Sequence, residues 1–459
     1  MLIDFKTSNF LSFNDEQVFS LKAGKARKYS KRLFNNKKYK LTKFEVILGA
    51  NASGKSNLIY AFKFMRDVIL NDLPKGFSDK YFRMNPEKKD KPSNFEVVFL
   101  IGNNAFKYGF SILLSSGKII EEYLYEISSS NNEKLIFERN TLDEKFNIGT
   151  YFKGTDAITK IVSYGEDSIQ ETEILFLSIM NRHKQKMYED IPELKILNDI
   201  FNWFAFKINI SFPDSVLSGY PYFSDSNLQE IVTILHALGT GISNLKIVEL
   251  PFELAKSKIP DEIFNQVVAD LEKEFTRKDF INDNKNPRIM LRSYKEFYTF
   301  EIDKEKNITI TTIEFAHENS KIYFDLNEES DGTARILDLI EIFTKLSQNS
   351  IFIIDELDRC LHPSMTVKII EMFLKLAEER NTQLIITSHE SRLLAADILR
   401  NDEICFISKN ANGESIINPL EKYQLRADKS IYAALFDGTL ESIPTFNDKE
   451  LHNMIDKGI

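Results

Sequence analysis

Residues 49–56 read Gly49-Ala50-Asn51-Ala52-Ser53-Gly54-Lys55-Ser56, a phosphate loop of the form G-x-x-x-x-G-K-[ST]. The chemistry this pattern serves is capture of a nucleoside triphosphate. Its glycines let the backbone curl until successive N–H groups face one concavity, so the binding segment runs from Gly49 through Asn51, Ala52, Ser53, Gly54, Lys55 and Ser56 to Asn57. Lys55 is placed to reach the β- and γ-phosphates, and Ser56 to ligate Mg²⁺. Far along the chain, the apolar run Ile351-Phe352-Ile353-Ile354 ends in Asp355-Glu356. Asp355 can complete the Mg²⁺ shell with Ser56, while Glu356 can orient and polarise the water that attacks the γ-phosphorus. A further apolar run, Gln383 to Thr387, delivers Ser388 and His389. His389 is the candidate for contacting the γ-phosphate or the attacking water, so Lys55, Glu356 and His389 form the candidate catalytic set with ATP and Mg²⁺ as cofactors.

These groups must be brought together by the elements that carry them. Phe44 to Leu48 predicts a strand entering the phosphate loop, and Leu58, Ile59, Phe62, Met65 and Ile69 recur at helical spacing after it. The order strand, loop, helix is the one the motif requires, with the helix N-terminus turned toward the phosphates. The Asp-Glu and histidine runs are two more strands of the same open sheet, whose carboxyl edge binds ligands. After the first helix, Phe95 to Leu100, Phe106 to Leu114, Lys118 to Ile127 and Lys134 to Arg139 predict an antiparallel meander. From Glu171 to Ala237 the apolar period lengthens to a helical one, and strands return at Arg288 to Ile302, Asn307 to Phe315 and Lys321 to Leu326. The fold class expected is α/β, a mixed sheet plus an antiparallel meander with an inserted helical lobe. The divisions expected are 1–165 for the first part of the head, 166–285 for the helical insertion and 286–459 for the second part of the head.

Composition narrows the setting. The chain has 459 residues, 43% of them hydrophobic, and no apolar run of membrane-spanning length, which points to a soluble protein with no membrane partner. Its first residues alternate like a strand instead of forming a charged and then apolar leader. Cys360 and Cys405 are the two cysteines, consistent with a reduced cytoplasmic location, and six scattered histidines offer no zinc-ligand spacing. A net charge of −9 argues against wholesale coating of nucleic acid. One local exception is the acid-free stretch holding Lys22, Lys25, Arg27, Lys28, Lys31, Arg32, Lys37, Lys38, Lys40 and Lys43, with Tyr29, Phe34 and Tyr39 between them. It is either a contact for nucleic acid or another acidic partner, or a solvated loop.

Asn327 to Arg335, with Ser330-Asp331-Gly332-Thr333 before a helical run, resembles the signature segment of ABC-type ATPases. The resemblance implies that Ser330, Gly332 and Thr333 contact the γ-phosphate held by an opposite subunit, and that Asp358, at the D-loop position, crosses that interface. Read from the residues alone, Ser330 to Thr333 is an N-cap and turn. The signature departs from the Ser-Gly-Gly-Gln of transporters and no Q-loop glutamine stands out, so transport is disfavoured. Asn51 to Asn57 and Asn9-Phe10-Leu11-Ser12-Phe13 look like the RecF, SMC and OLD branch. Pro92 to Val97, Tyr108-Gly109-Phe110, Ile120 to Tyr125, Asp355-Glu356-Leu357-Asp358, Leu361-His362-Pro363 and the Gly438 to Pro444 stretch resemble the AAA-domain ATPases of bacterial abortive-infection and anti-phage systems, of the AbiLi/RloA and PARIS AriA type.

That resemblance implies an ATPase with an ABC-type head that forms a homodimer or a larger assembly of dimers. It also implies control of a separately encoded effector, in several systems a Toprim-type nuclease. With 70 residues after His389 in this sequence (459 − 389), a fused second catalytic domain is not expected. The alternative function is a RecF-like DNA repair or maintenance ATPase that binds DNA directly through a basic groove.

Overall fold

The computed structural model describes residues 1–71, 73–128, 132–182, 184–213, 227–276, 286–293, 296–344, 349–423, 431–436 and 440. The Gly438 to Pro444 stretch lies almost wholly outside them. The chain divides into two compact units, one made of residues 1–210, 348–357 and 374–459, the other of 211–347 and 358–373.

The first unit contains two sheets. One has six strands in the order Ile208–Ser211, Ile351–Ile354, Gln383–Thr387, Phe44–Leu48, Ile404–Lys409 and Ser415–Pro419. Phe44–Leu48 runs parallel to both of its neighbours, and Ser415–Pro419 is antiparallel to Ile404–Lys409, so the sheet is mixed. Its inner strands are buried on both faces, which explains their unbroken apolar runs. The other sheet has seven strands in the order Lys145–Ile148, Glu133–Asn140, Lys118–Ile127, Asn104–Leu113, Ser93–Ile101, Leu2–Ser8 and Gln17–Ser20. Hairpin pairing from Ser93 to Asn140 makes its centre the expected meander, and the α/β class expected, a mixed sheet plus a meander, is the one observed.

Helix Lys55–Leu70 buries Leu58, Ile59, Phe62, Met65 and Ile69, the stripe its spacing predicts. Phe62 stacks on Phe5 of the seven-stranded sheet at 3.8 Å, and Phe64 packs against Phe10 and Phe95. Each such ring, fully buried, contributes about 1.5–3 kcal/mol. Gln383, itself fully buried, links the two sheets: its Nε2 donates to the carbonyls of Leu2 and Thr42, and its Oε1 accepts from the Leu2 N–H.

The second unit holds the antiparallel strands Ile242–Leu250, Ile308–His317, Glu296–Ile302 and Arg288–Ser293, in that order, with Phe324–Asp325 paired to Ile308–His317. Helices Phe252–Lys258 and Asp261–Thr276 supply Ala255, Phe264 and Leu271 to a core completed by Tyr298, Phe300 and Ile310. Segment 166–285 therefore carries strands as well as helices. Ile242, Leu245 and Val248 are spaced by three, a helical interval in sequence, yet they sit in a strand. The contact boundaries also differ from 165/166 and 285/286: helices Phe176–Asn181 and Lys195–Phe206 belong to the first unit, and residues 286–344 to the second.

Candidate functional site

The loop from Gly49 to Gly54 follows strand Phe44–Leu48 and ends where helix Lys55–Leu70 begins, with Gly54 as its N-cap. Gly54 has φ +107°, and a Cβ there would come within 2.1 Å of Ser415 Oγ and 2.7 Å of Ser12 Oγ. Only glycine combines that backbone with that approach. The reason for the crowding is a brace below the loop. Ser415 Oγ hydrogen-bonds the Ser53 carbonyl at 2.6 Å, the hydroxyls of Ser12 and Ser415 lie 2.7 Å apart, and Asn57 Nδ2 donates to Ser12 Oγ at 2.7 Å. Ser12 stood out in the sequence only as part of the Asn9 to Phe13 motif and Ser415 not at all, since nothing local links two serines so far apart.

Lys55 lies back over its own loop, its ammonium donating to the carbonyls of Gly49 at 2.8 Å and Ala50 at 3.0 Å. Asp355 is buried at the end of strand Ile351–Ile354, and its Oδ1 accepts from Thr387 Oγ1 at 2.6 Å. The same Thr387 oxygen accepts from the Glu356 N–H at 2.7 Å. Glu356 takes φ +46°, a left-handed conformation that costs a side-chain-bearing residue about 1–2 kcal/mol. Thr387 thus fixes both acids of the pair, though in sequence it is an ordinary strand threonine.

A cavity of ≈ 520 Å³ is lined by Asn51 to Asn57 together with Glu356, His389 and Lys409. The structure brings the lysine loop, the glutamate and the exposed His389 to one space at the carboxyl edge of the six-stranded sheet. Lys409 is an addition to the residues the sequence singled out. Among the described residues no group of three or more His, Cys, Asp or Glu is placed to hold a metal by itself, and Mg²⁺ that arrives with a nucleotide needs few protein ligands, because phosphate and water fill most of its shell. Ser56 lines this cavity, whereas Asp355, buried at the end of its strand, is not among the lining residues.

Ser330, Gly332, Thr333 and Asp358 belong to the second unit. Ser330 caps helix Asp331–Leu339, its Oγ accepting from the Thr333 N–H at 3.0 Å and lying 2.8 Å from Thr333 Oγ1. A Cβ at Gly332 would sit 3.2 Å from the Cys360 carbonyl, so the signature turn packs against the segment that follows Asp358. Cys360 and Cys405 are both free thiols.

The acid-free basic stretch is tied down along much of its length. Lys22 pairs with Asp4 at 2.6 Å, Lys28 with Asp397 at 2.5 Å and buried Arg32 with Glu403 at 3.5 Å, while Lys38 and Lys43 donate to the carbonyls of Ser128 and Ala377. Arg400, also buried, donates to the carbonyls of Ala26 and Lys28 and forks onto Asp402. Lys25, Arg27, Lys31, Lys37 and Lys40 are exposed.

A family model described as "AAA domain, putative AbiEii toxin, Type IV TA system" matches residues 44–157 and 227–395. Among solved structures the chain is similar to the SMC head domain from Thermotoga maritima, with 14% identity and TM-score 0.34, covering 91% of this chain and 98% of that one. It is also similar to the Smc head domain with an extended coiled coil bound to the C-terminal domain of ScpA derived from Pyrococcus furiosus, with 13% identity and TM-score 0.36, covering 92% and 97%. No curated protein matches. No described helix is long and apolar enough to cross a membrane.

Proposed function

This chain belongs to the AAA-domain family whose description names the AbiEii toxin of type IV TA systems, and from that premise we propose that it is a Mg²⁺-dependent ABC-type ATPase that works as a nucleotide-gated switch. The observation that carries the proposal is the single cavity where Asn51 to Asn57, Glu356 and His389 meet. The loop N–H groups and Lys55 hold the phosphate chain, and Ser56 with Asp355 would hold Mg²⁺. The cation, when bound, neutralises charge on the β- and γ-phosphate oxygens. Glu356, oriented through Thr387, positions the attacking water, and His389 donates to the γ-phosphate.

Ser330, Gly332, Thr333 and Asp358 then act in trans on the γ-phosphate of a second copy, giving a homodimer or an assembly of dimers. The capped start of helix Asp331–Leu339 supports this reading, because a helix N-terminus favours an anion. Association that depends on the γ-phosphate is a differential affinity, and it can bias a partner's state. The partner proposed is a separately encoded effector, a Toprim-type nuclease, in a cytoplasmic anti-phage abortive-infection system. The motif likeness from Pro92 to Pro363 is what supports that assignment.

The test uses wild type, Lys55→Ala and Glu356→Gln. Mass is measured by light scattering with and without ATP, together with retained nucleotide, phosphate release and capture of the protein encoded by the adjacent gene. Glu356→Gln should keep ATP and accumulate the closed assembly, whereas Lys55→Ala should not load nucleotide. Equal mass and equal ATP retention in all three proteins would contradict the mechanism.

A further inference from the structure

We infer that Lys409 is a second phosphate-binding cation, one that grips the non-transferred end of the nucleotide's phosphate chain; the inference rests on the ATPase reading of the same cavity. Lys409 is exposed and lines that cavity opposite the reaction machinery. Strand Phe44–Leu48, which feeds the phosphate loop, lies between Gln383–Thr387 on one side and Ile404–Lys409 on the other. Glu356 and His389 come from the first side, so the γ-phosphate belongs there. The α-phosphate end then falls toward the strand that carries Lys409.

Two observations fix the direction of the side chain. Lys409 is directly opposite Ser415 in the antiparallel ladder, so their side chains leave the same face of the sheet. Ser415 uses that face to hydrogen-bond the Ser53 carbonyl of the phosphate loop at 2.6 Å. The backbone around Lys409 is also held in place. A Cβ at Gly49 would meet the Ile407 carbonyl at 2.3 Å, and the turn after Lys409 is closed by Asn410 donating to Glu414, which accepts in addition from Asn14 Nδ2 at 2.7 Å. The cation therefore rises from a hairpin packed against the loop, so a charge-assisted contact to phosphate has only the lysine side chain, and not its backbone, to order.

The experiment measures ADP and ATP binding by calorimetry, and steady-state turnover, for wild type, Lys409→Ala and Lys409→Arg. Lys409→Ala should weaken ADP and ATP equally, by about tenfold for a charged hydrogen bond. Its KM should rise by the same factor with kcat within about twofold, the signature of binding lost equally in ground and transition states. Lys409→Arg should recover most of the affinity. Unchanged affinity in Lys409→Ala, or a loss confined to ATP with a fall in kcat, would overturn the assignment. Failure of wild type to bind either nucleotide would instead refute the ATPase reading itself.

Discussion

Thr387 makes two contacts with one oxygen, donating to Asp355 and accepting from the Glu356 backbone, and each of its partners has a separate task in the proposed reaction. Thr387→Val keeps the shape of the side chain and removes both hydrogen bonds. Phosphate release should fall by about tenfold or more, with a loss of about 1–3 kcal/mol in folding stability from the polar groups that lose a buried partner. Steady-state assay and urea unfolding measure the two effects, and a variant with wild-type turnover would show that Thr387 does not position the pair. The site was legible at this scale wherever adjacent residues carry the signal. Gly49 to Asn57 and Asp355-Glu356 are contiguous, and the structure brings the loop and Glu356 to one cavity. Thr387, Ser12 and Ser415 were not legible, because a hydroxyl acquires its role only when folding sets a distant partner within about 3 Å.

Among the elements, the meander is joined to its helices by a buried charge pair. Glu122 accepts from the N–H groups of Phe176 and Leu177 at the start of helix Phe176–Asn181 and from Tyr108 Oη at 2.9 Å. Arg139, 3.5 Å away and equally buried, donates to the carbonyls of Ser168, at the end of helix Thr155–Ser168, and of Ile174. Burial and the facing Glu122 push the Tyr108 hydroxyl well above its ordinary range. Arg139→Met should cost about 3–5 kcal/mol, because it leaves a buried carboxylate without its counter-charge. Combined with Glu122→Leu, the loss should be smaller than the sum of the two single losses, as expected for coupled neighbours. Denaturant titration of the four proteins decides it, and strict additivity would refute the coupling. In sequence, Glu122 follows another glutamate and Arg139 follows Glu138 at the polar end of its strand, so both resemble solvated charges. The alternation that placed the strands carries no information about which charges turn inward. Strand Lys145–Ile148 escaped for a different reason, being four residues long with lysine and asparagine at alternate positions.

Across the whole molecule, several carboxyls are buried deeply enough to titrate well above the ordinary carboxylate range. Desolvation raises Glu403 to about 7 against the opposing pull of Arg32, Glu341 to about 8, and Asp338 to about 6. Each binds its proton more tightly folded than unfolded, so the native state holds more protons across this range and stability falls as pH rises. The contribution is complete below about 4 and is lost progressively up to about 8, at no more than about 1.4 kcal/mol per pH unit for each proton. Thermal unfolding from pH 5 to 8.5 should show a falling midpoint, and Glu341→Gln should flatten the upper part of the curve. A midpoint that climbs over the same interval would contradict these assignments. The six-stranded sheet has another consequence, for the order of synthesis. The strand feeding the phosphate loop pairs with Gln383–Thr387 and Ile404–Lys409, and the loop itself rests on Ser415. A nascent chain displays the phosphate-loop motif early in translation, but it has no floor to build that loop on until strands Gln383–Thr387, Ile404–Lys409 and Ser415–Pro419 leave the ribosome. On the proposed function, half-made copies would stay blind to ATP until those strands are in place.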